Sequence, residues 1–271
     1  MKIKKQKNKP RKNKSRENNS EVKFRLIGKT IYFPEQGILA VGDLHLGYEE
    51  MLKSQGVMVP FNQVEIVKKE LADIFNYIQE WKGQLNKVVL LGDIKHHFSF
   101  QKGEKFEVRK IMTFLEKYFD KENIILIKGN HERFELDKRK HHDYYLVDAG
   151  KDKKEYIAFL HGHKSFPEIF NKNVKSIVMG HLHPAVLLED EQGIKREKYK
   201  CHLVGRYKNK KIFILPSFFP LIEGSEIDEM GQQGKEPSFI PLKDLKNFNV
   251  NIVNSDDLKV YNFGKLRNFR K

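Results

Sequence analysis

One cysteine, Cys201, stands among 271 residues. That excludes an intramolecular disulfide and suits a reducing cytoplasm, where Cys201 reads as a small core or strand residue. Apolar runs long enough to cross a bilayer as a helix are missing, which argues against a membrane partner. The N-terminus is cationic but no apolar stretch follows it, so it does not read as a secretory signal. Acid is scarce: 36 Asp and Glu against 51 Lys and Arg leave a formal net charge of +15 and a pI of about 9.5. A field of that sign favours polyanions such as nucleic acid or phosphorylated substrates, although liberal use of lysine accounts for the charge nearly as well. Internal repeats are absent too. What is present, 39% hydrophobic residues, suffices for a core, and the length fits one large α/β domain or two small ones.

Residues 1–20 hold nine basic groups and one acid, Glu17, so a net +8 of the chain's +15 lies there. With hardly an apolar side chain the segment cannot bury enough surface to offset its ordering entropy, and it reads as disordered. It suits either a solvated tail or a nucleic-acid arm. A folded domain is expected over residues 21–271.

Within that domain, 22–26 and 30–33 alternate as two strands around a turn at Gly28. Residues 38–42 form a buried-type strand, and 47–56 are expected to loop or coil past its end. Val64, Val67, Leu71, Ile74 and Ile78 recur at helical spacing after Pro60 and Asn62. A strand over 87–91, a helix with Val108, Ile111, Met112, Leu115 and Phe119 on one face, and a strand over 123–127 come next. Strands over 155–160, 175–179, 185–188, 199–204 and 211–215 follow, then Pro- and Gly-rich loops with weak strands at 249–253 and 259–263. The order βαβαβ first and mostly β later implies two packed sheets with helices outside.

Five of the buried-type strands end alike. The ends read Asp43-Leu44-His45, Gly92-Asp93, Gly129-Asn130-His131-Glu132, His161-Gly162-His163 and Gly180-His181-Leu182-His183. Residues two apart on an extended chain face the same side, so Asp43 and His45 make a half-site for a divalent ion. Singly, each motif is usually a cap, a turn or an exposed pair. Together they place six of the chain's 11 histidines at strand ends, where ligands of open α/β sheets gather. Two carboxylates, several imidazoles and an amide oxygen suit Mn²⁺, Fe²⁺, Co²⁺ or Zn²⁺ better than Ca²⁺ or Mg²⁺. Seven or eight ligands are too many for one ion. A carboxylate-bridged pair about 3.5–4 Å apart is the hydrolytic clamp used on phosphate esters, polarising a bridging water and neutralising phosphate charge.

With these blocks in order, the chain resembles the calcineurin-like metallophosphoesterases over roughly residues 22–220. The resemblance implies an α/β fold, a two-sheet αββα sandwich, and a dinuclear-metal-dependent phosphoesterase. The stretches GKTIYFPEQGILAVGDLHLGYEE and ILPSFFPLIEG are similar to small archaeal and bacterial phosphoesterases related to the SbcD nuclease. Carried over, Asp43, His45 and His183 would hold one ion, Asn130, His161 and His181 the other, and Asp93 would bridge both. His131 would face the scissile phosphate and protonate the leaving oxygen or stabilise its charge. Glu132 would orient His131 or cap the following turn, while His96 and His163 would support the ligands from behind. Manganese is the expected metal, with iron, cobalt, zinc or nickel as alternatives. His97, His141 and His142 read as surface residues and His202 as structural.

The implied reaction is hydrolysis of phosphodiester bonds in nucleic acid or nucleotides. Two alternatives stay open: a phosphomonoesterase, and a nucleic-acid-binding accessory subunit of a repair helicase or ligase with a structural metal site. SbcD-type nucleases carry further C-terminal domains that grip DNA. Here about fifty residues follow the last well-marked strand, too few for such an addition.

Overall fold

In the computed structural model, strands β1 (Arg25–Ile27), β2 (Thr30–Phe33), β3 (Ile38–Val41), β4 (Lys87–Leu90), β5 (Ile124–Ile127) and β6 (His141–His142) hydrogen-bond in chain order into one sheet. The structure describes residues 22–58, 60, 62–96, 102–130, 139–150, 154–190, 194–219, 221, 223–226, 238–254 and 256–269; the basic N-terminal segment lies outside them. β1 to β3 run antiparallel, and β3 to β6 parallel. The second sheet contains β7 (Tyr144–Asp148), β8 (Tyr156–Leu160), β9 (Val174–Met179), β10 (Pro184–Glu189), β11 (Arg196–Tyr207), β12 (Lys210–Ile214) and β13 (Ser225–Glu226) in the order β13-β10-β11-β12-β9-β8-β7. β14 (Asn249–Val253) adds to β11, and β15 (Val260–Lys265) to β14.

The parallel strands read as unbroken apolar runs because both of their faces are covered. In β3, Ile38 and Ala40 point between the sheets, against Phe159, Val178 and Phe213. Leu39 and Val41 point the other way, towards helices α2 (Gln63–Glu80) and α3 (Lys102–Leu115). β4 and β5 divide their residues with the same period of two. Phe33 stands edge-on to Phe159 and Phe213, at ring separations of 5.8 and 6.1 Å, and ties the sheets across the middle. The outer face of the second sheet is covered by Ile169 from a 3-10 turn and Leu245 from a one-turn helix.

Residues 48–54 differ from the expected loop: they form helix α1 (Tyr48–Ser54). Glu49 and Glu50 stand in its first turn and Lys53 in its last, matching the helix dipole, and Lys53 pairs with Glu49 at 2.7 Å. Strand β7 was not evident in the sequence because its residues are only half-buried. His141 and His142, read as surface residues, are half-buried and form β6. No helix among the described residues is long and apolar enough to cross a membrane.

The consequence for function is directional. β3, β4 and β5 run parallel in one sheet, and β8, β9 and β12 run parallel in the other. Each delivers the residues that follow it to a common edge of the sandwich.

Candidate metal centre

At that edge the residues that follow β3, β4, β8 and β9 form two groups, Asp43 with His45 and His183, and Asp93 with His161 and His181. In the first, His45 Nε2 faces His183 Nε2 at 3.2 Å, and His183 Nε2 lies 3.5 Å from Asp43 Oδ2. In the second, His161 Nε2 lies 3.1 Å from His181 Nδ1 and 3.4 Å from Asp93 Oδ2. Asn130 joins this group, its Oδ1 being 2.9 Å from His161 Nε2. Ligand atoms around an ion with bonds of about 2.0–2.2 Å stand roughly 3.0–3.6 Å apart. The observed spacings match. Two ring nitrogens face to face can share only one proton, so the arrangement suits a cation better than hydrogen bonding alone. The donor set therefore fits divalent ions of the borderline class.

The two groups share a wall. Asp43 Oδ1 lies 3.2 Å from His161 Nδ1, and the His181 N–H donates to Asp43 Oδ2 at 3.0 Å. His161 Nδ1 also reaches Leu91 O at 3.0 Å. With its proton committed there, Nε2 is the nitrogen left to face the other ligands.

The backbone is strained where it turns the side chains inward. His45, Asp93, His181 and His183 have φ of 45°, 44°, 69° and 43°, and they are half of the eight non-glycine residues with positive φ among those described. Left-handed backbone at such residues persists only where the surroundings over-determine it. Here the N–H groups of Leu44 and His45 donate to Asp93 O at 3.2 and 2.9 Å, and Leu46 N–H donates to Ile94 O at 2.8 Å. Gln63, fully buried at the start of α2, donates through Nε2 to Leu44 O and His45 O at 3.2 and 2.8 Å. Sequence reasoning missed Gln63; its only signal was a polar residue just after the Asn62 cap. Glycine is needed at two approaches: a side chain at Gly129 would strike Asp93, and one at Gly180 would strike the Asp43 carboxylate.

Other expected residues lie around the groups. His96 stands 5.8 Å, ring to ring, from His45 and 4.9 Å from Tyr48. His163 stands 5.3 Å from His161 and 6.0 Å from His181. His202 lies in β11, with Nε2 2.8 Å from Gly28 O. His97, His131 and Glu132 lie outside the described residues.

Burial alone would raise the Asp43 carboxyl, but the imidazoles of His183, His161 and His45 outweigh it and hold Asp43 well below the usual carboxylate range. At His161 burial opposes the charge, yet Asp43 and the bond to Asp93 raise it to about 9. Burial, joined by the His161 charge, pulls His163 and His181 down to about 4. In the absence of metal, His161 is therefore protonated at neutral pH while His181 is neutral. A cation must displace that proton. Its affinity for the second group should then rise about tenfold per pH unit between pH 7 and 9, and level off above, as one proton leaves per ion. Calorimetric titration of Mn²⁺ across that range checks the slope; a flat profile would mean that no proton leaves His161 on binding in that range.

A two-sheet α/β sandwich with paired Asp/His groups at its strand ends defines a metal-dependent hydrolase. Residues 37–253 match the family of calcineurin-like phosphoesterases. The chain belongs to that family and is a metal-dependent phosphoesterase. Among solved structures, a nuclease, MPE, from Pseudomonas putida is similar, with 17% identity over 87% of this chain and 92% of that one and a TM-score of 0.51. A predicted phosphoesterase from Streptococcus pneumoniae matches at 16% identity over 84% of this chain and 97% of that one, with a TM-score of 0.31. Among curated protein sequences, none matches.

Proposed function

We propose that the chain hydrolyses phosphodiester bonds in nucleic acid or nucleotides, with two divalent ions, manganese foremost, held by the two groups. The observation that carries this reading is the shared wall: Asp43 touches both groups, so ions in the two would act on one phosphate. Such a pair, when bound, supplies Lewis acidity to the ester and to the attacking water. Asp43, His45 and His183 hold one ion, Asn130, His161 and His181 the other, and Asp93 bridges the two. His131 protonates the leaving oxygen, oriented by Glu132. His96 and His163 restrain the ligand rings. The net positive charge of +15 draws the polyanion. A nuclease among the similar folds points to the same substrate class. Residues 21–271 form the catalytic domain, which works in the reducing cytoplasm, with Cys201 a buried free thiol.

A screen of Mn²⁺, Mg²⁺, Zn²⁺ and no metal against bis-p-nitrophenyl phosphate, p-nitrophenyl phosphate and labelled single- and double-stranded DNA and RNA tests the reading. The diester and at least one nucleic acid should turn over with Mn²⁺. Turnover of the monoester alone would establish a phosphomonoesterase instead, and nucleic-acid binding without any turnover an accessory subunit with a structural site.

Residues 1–20 are proposed as a disordered arm that adds non-specific affinity. Each phosphate neutralised by Lys or Arg releases a counterion, so binding should weaken steeply with salt. Deleting the arm should flatten that dependence and leave kcat on the small diester unchanged. An unaltered salt slope would make the segment a solvated tail.

A further inference from the structure

The segment that follows β12, residues 216–219, lies against the backbone of Asp43. Ser217 Oγ donates to Asp43 O at 3.2 Å, and the N–H groups of Phe218 and Phe219 reach the same oxygen at 2.9 and 3.4 Å. Three donors thus converge on one carbonyl of a candidate ligand. A side chain at Gly42 would strike Pro216 O, so the segment presses on the preceding residue as well.

On its other side the same segment is held by two ammonium groups, one from the buried Lys29 and one from the half-buried Lys200. Lys200 Nζ, from β11, donates to Ser217 O at 2.9 Å and to Phe219 O. Lys29 Nζ, from the turn between β1 and β2, donates to Phe218 O at 2.7 Å and sits 4.7 Å above the Phe218 ring. Three consecutive carbonyls are taken by two lysines from different sheets. Lys29 is 3% exposed and is anchored to Glu70 of α2 at 2.7 Å. The half-buried Lys200 meets carbonyl oxygens where a lysine withdrawn from water ordinarily meets a carboxylate. Burial, reinforced by the nearby Lys29 charge, pulls its pKa well below the ordinary lysine value. An apolar side chain of similar length would fill the space without charge burial, so two ammonium groups here call for a task beyond packing.

We propose that Lys29 and Lys200 are positioning residues of the first metal group: they clamp residues 217–219, whose donors fix the Asp43 backbone and thereby the spacing of Asp43, His45 and His183. The inference rests on the reading of the two groups as metal sites. It assigns to a distant pair of lysines the geometry of one group and not of the other.

The test uses the full chain and calorimetric titration with Mn²⁺, with Co²⁺ absorption as a second readout. In a His181→Ala background the first group keeps all its donors, and in a His45→Ala background the second does. In the first background, Lys200→Met and Lys29→Met should each weaken ion binding by about tenfold, a coupling typical of residues in one contact network. In the second background the same changes should have no effect beyond twofold. Lys200→Arg should restore part of the loss, and Ser217→Ala, which deletes one donor and buries no new group, should reproduce a smaller loss in the first background alone. Equal weakening in both backgrounds, or in neither, overturns the inference. If Lys200→Met fails to fold, Ser217→Ala decides: no selective loss there overturns it too. If the unsubstituted chain binds no ion, the metal-centre reading itself fails, and this inference with it.

Discussion

Asp93→Asn is expected to lower diesterase turnover by more than about 10²-fold, because in the proposed centre it removes the anion assigned to both ions. Asp93 is 2% exposed, and its backbone carbonyl receives the N–H groups of Leu44 and His45 from the other group's strand end. Its carboxylate lies 3.4 Å from His161 Nε2. Asparagine keeps the shape and one oxygen but not the charge, so the fold should survive while ion binding weakens. Turnover on bis-p-nitrophenyl phosphate and metal content by elemental analysis are the measurements. The unsubstituted chain should approach two ions, the variant fewer. Near-normal turnover in the variant would mean that the centre lies elsewhere.

His131→Gln separates binding from chemistry. In the proposed role His131 touches the leaving oxygen and no ion, so the variant should retain its metals and lose turnover by about 10²–10⁴-fold, the range for a general acid. The loss should shrink for esters with good leaving groups, such as p-nitrophenolate, which need little protonation. A parallel fall in metal content would make His131 a ligand and leave the acid unassigned.

Much of the centre could be read from the chain because of how its strands are buried. β3, β4, β8 and β9 carry apolar residues on both faces, so their runs are unbroken, and the first polar residues after them stand out. Asp43, Asp93, His161, His181 and His183 were visible for that reason. Helix α1 was not: its seven residues give a weak period, and its start depends on Gly47 at φ 96°. Gln63 was invisible because its task is a contact with the backbone of Leu44 and His45, which residue type does not reveal.

By itself the sequence determined the element types, the strand ends and the chemical kind of the donors, since these follow from local periodicity and side-chain identity. Only the tertiary structure brings donors that are distant in the chain within contact of one another. His45 meets His183 from 138 residues away, and Lys29 reaches Phe218 from 189. It also decided the left-handed backbone at His45, Asp93, His181 and His183. Such conformations cost energy locally and are held by hydrogen bonds from neighbouring strand ends and from α2, so no local pattern announces them.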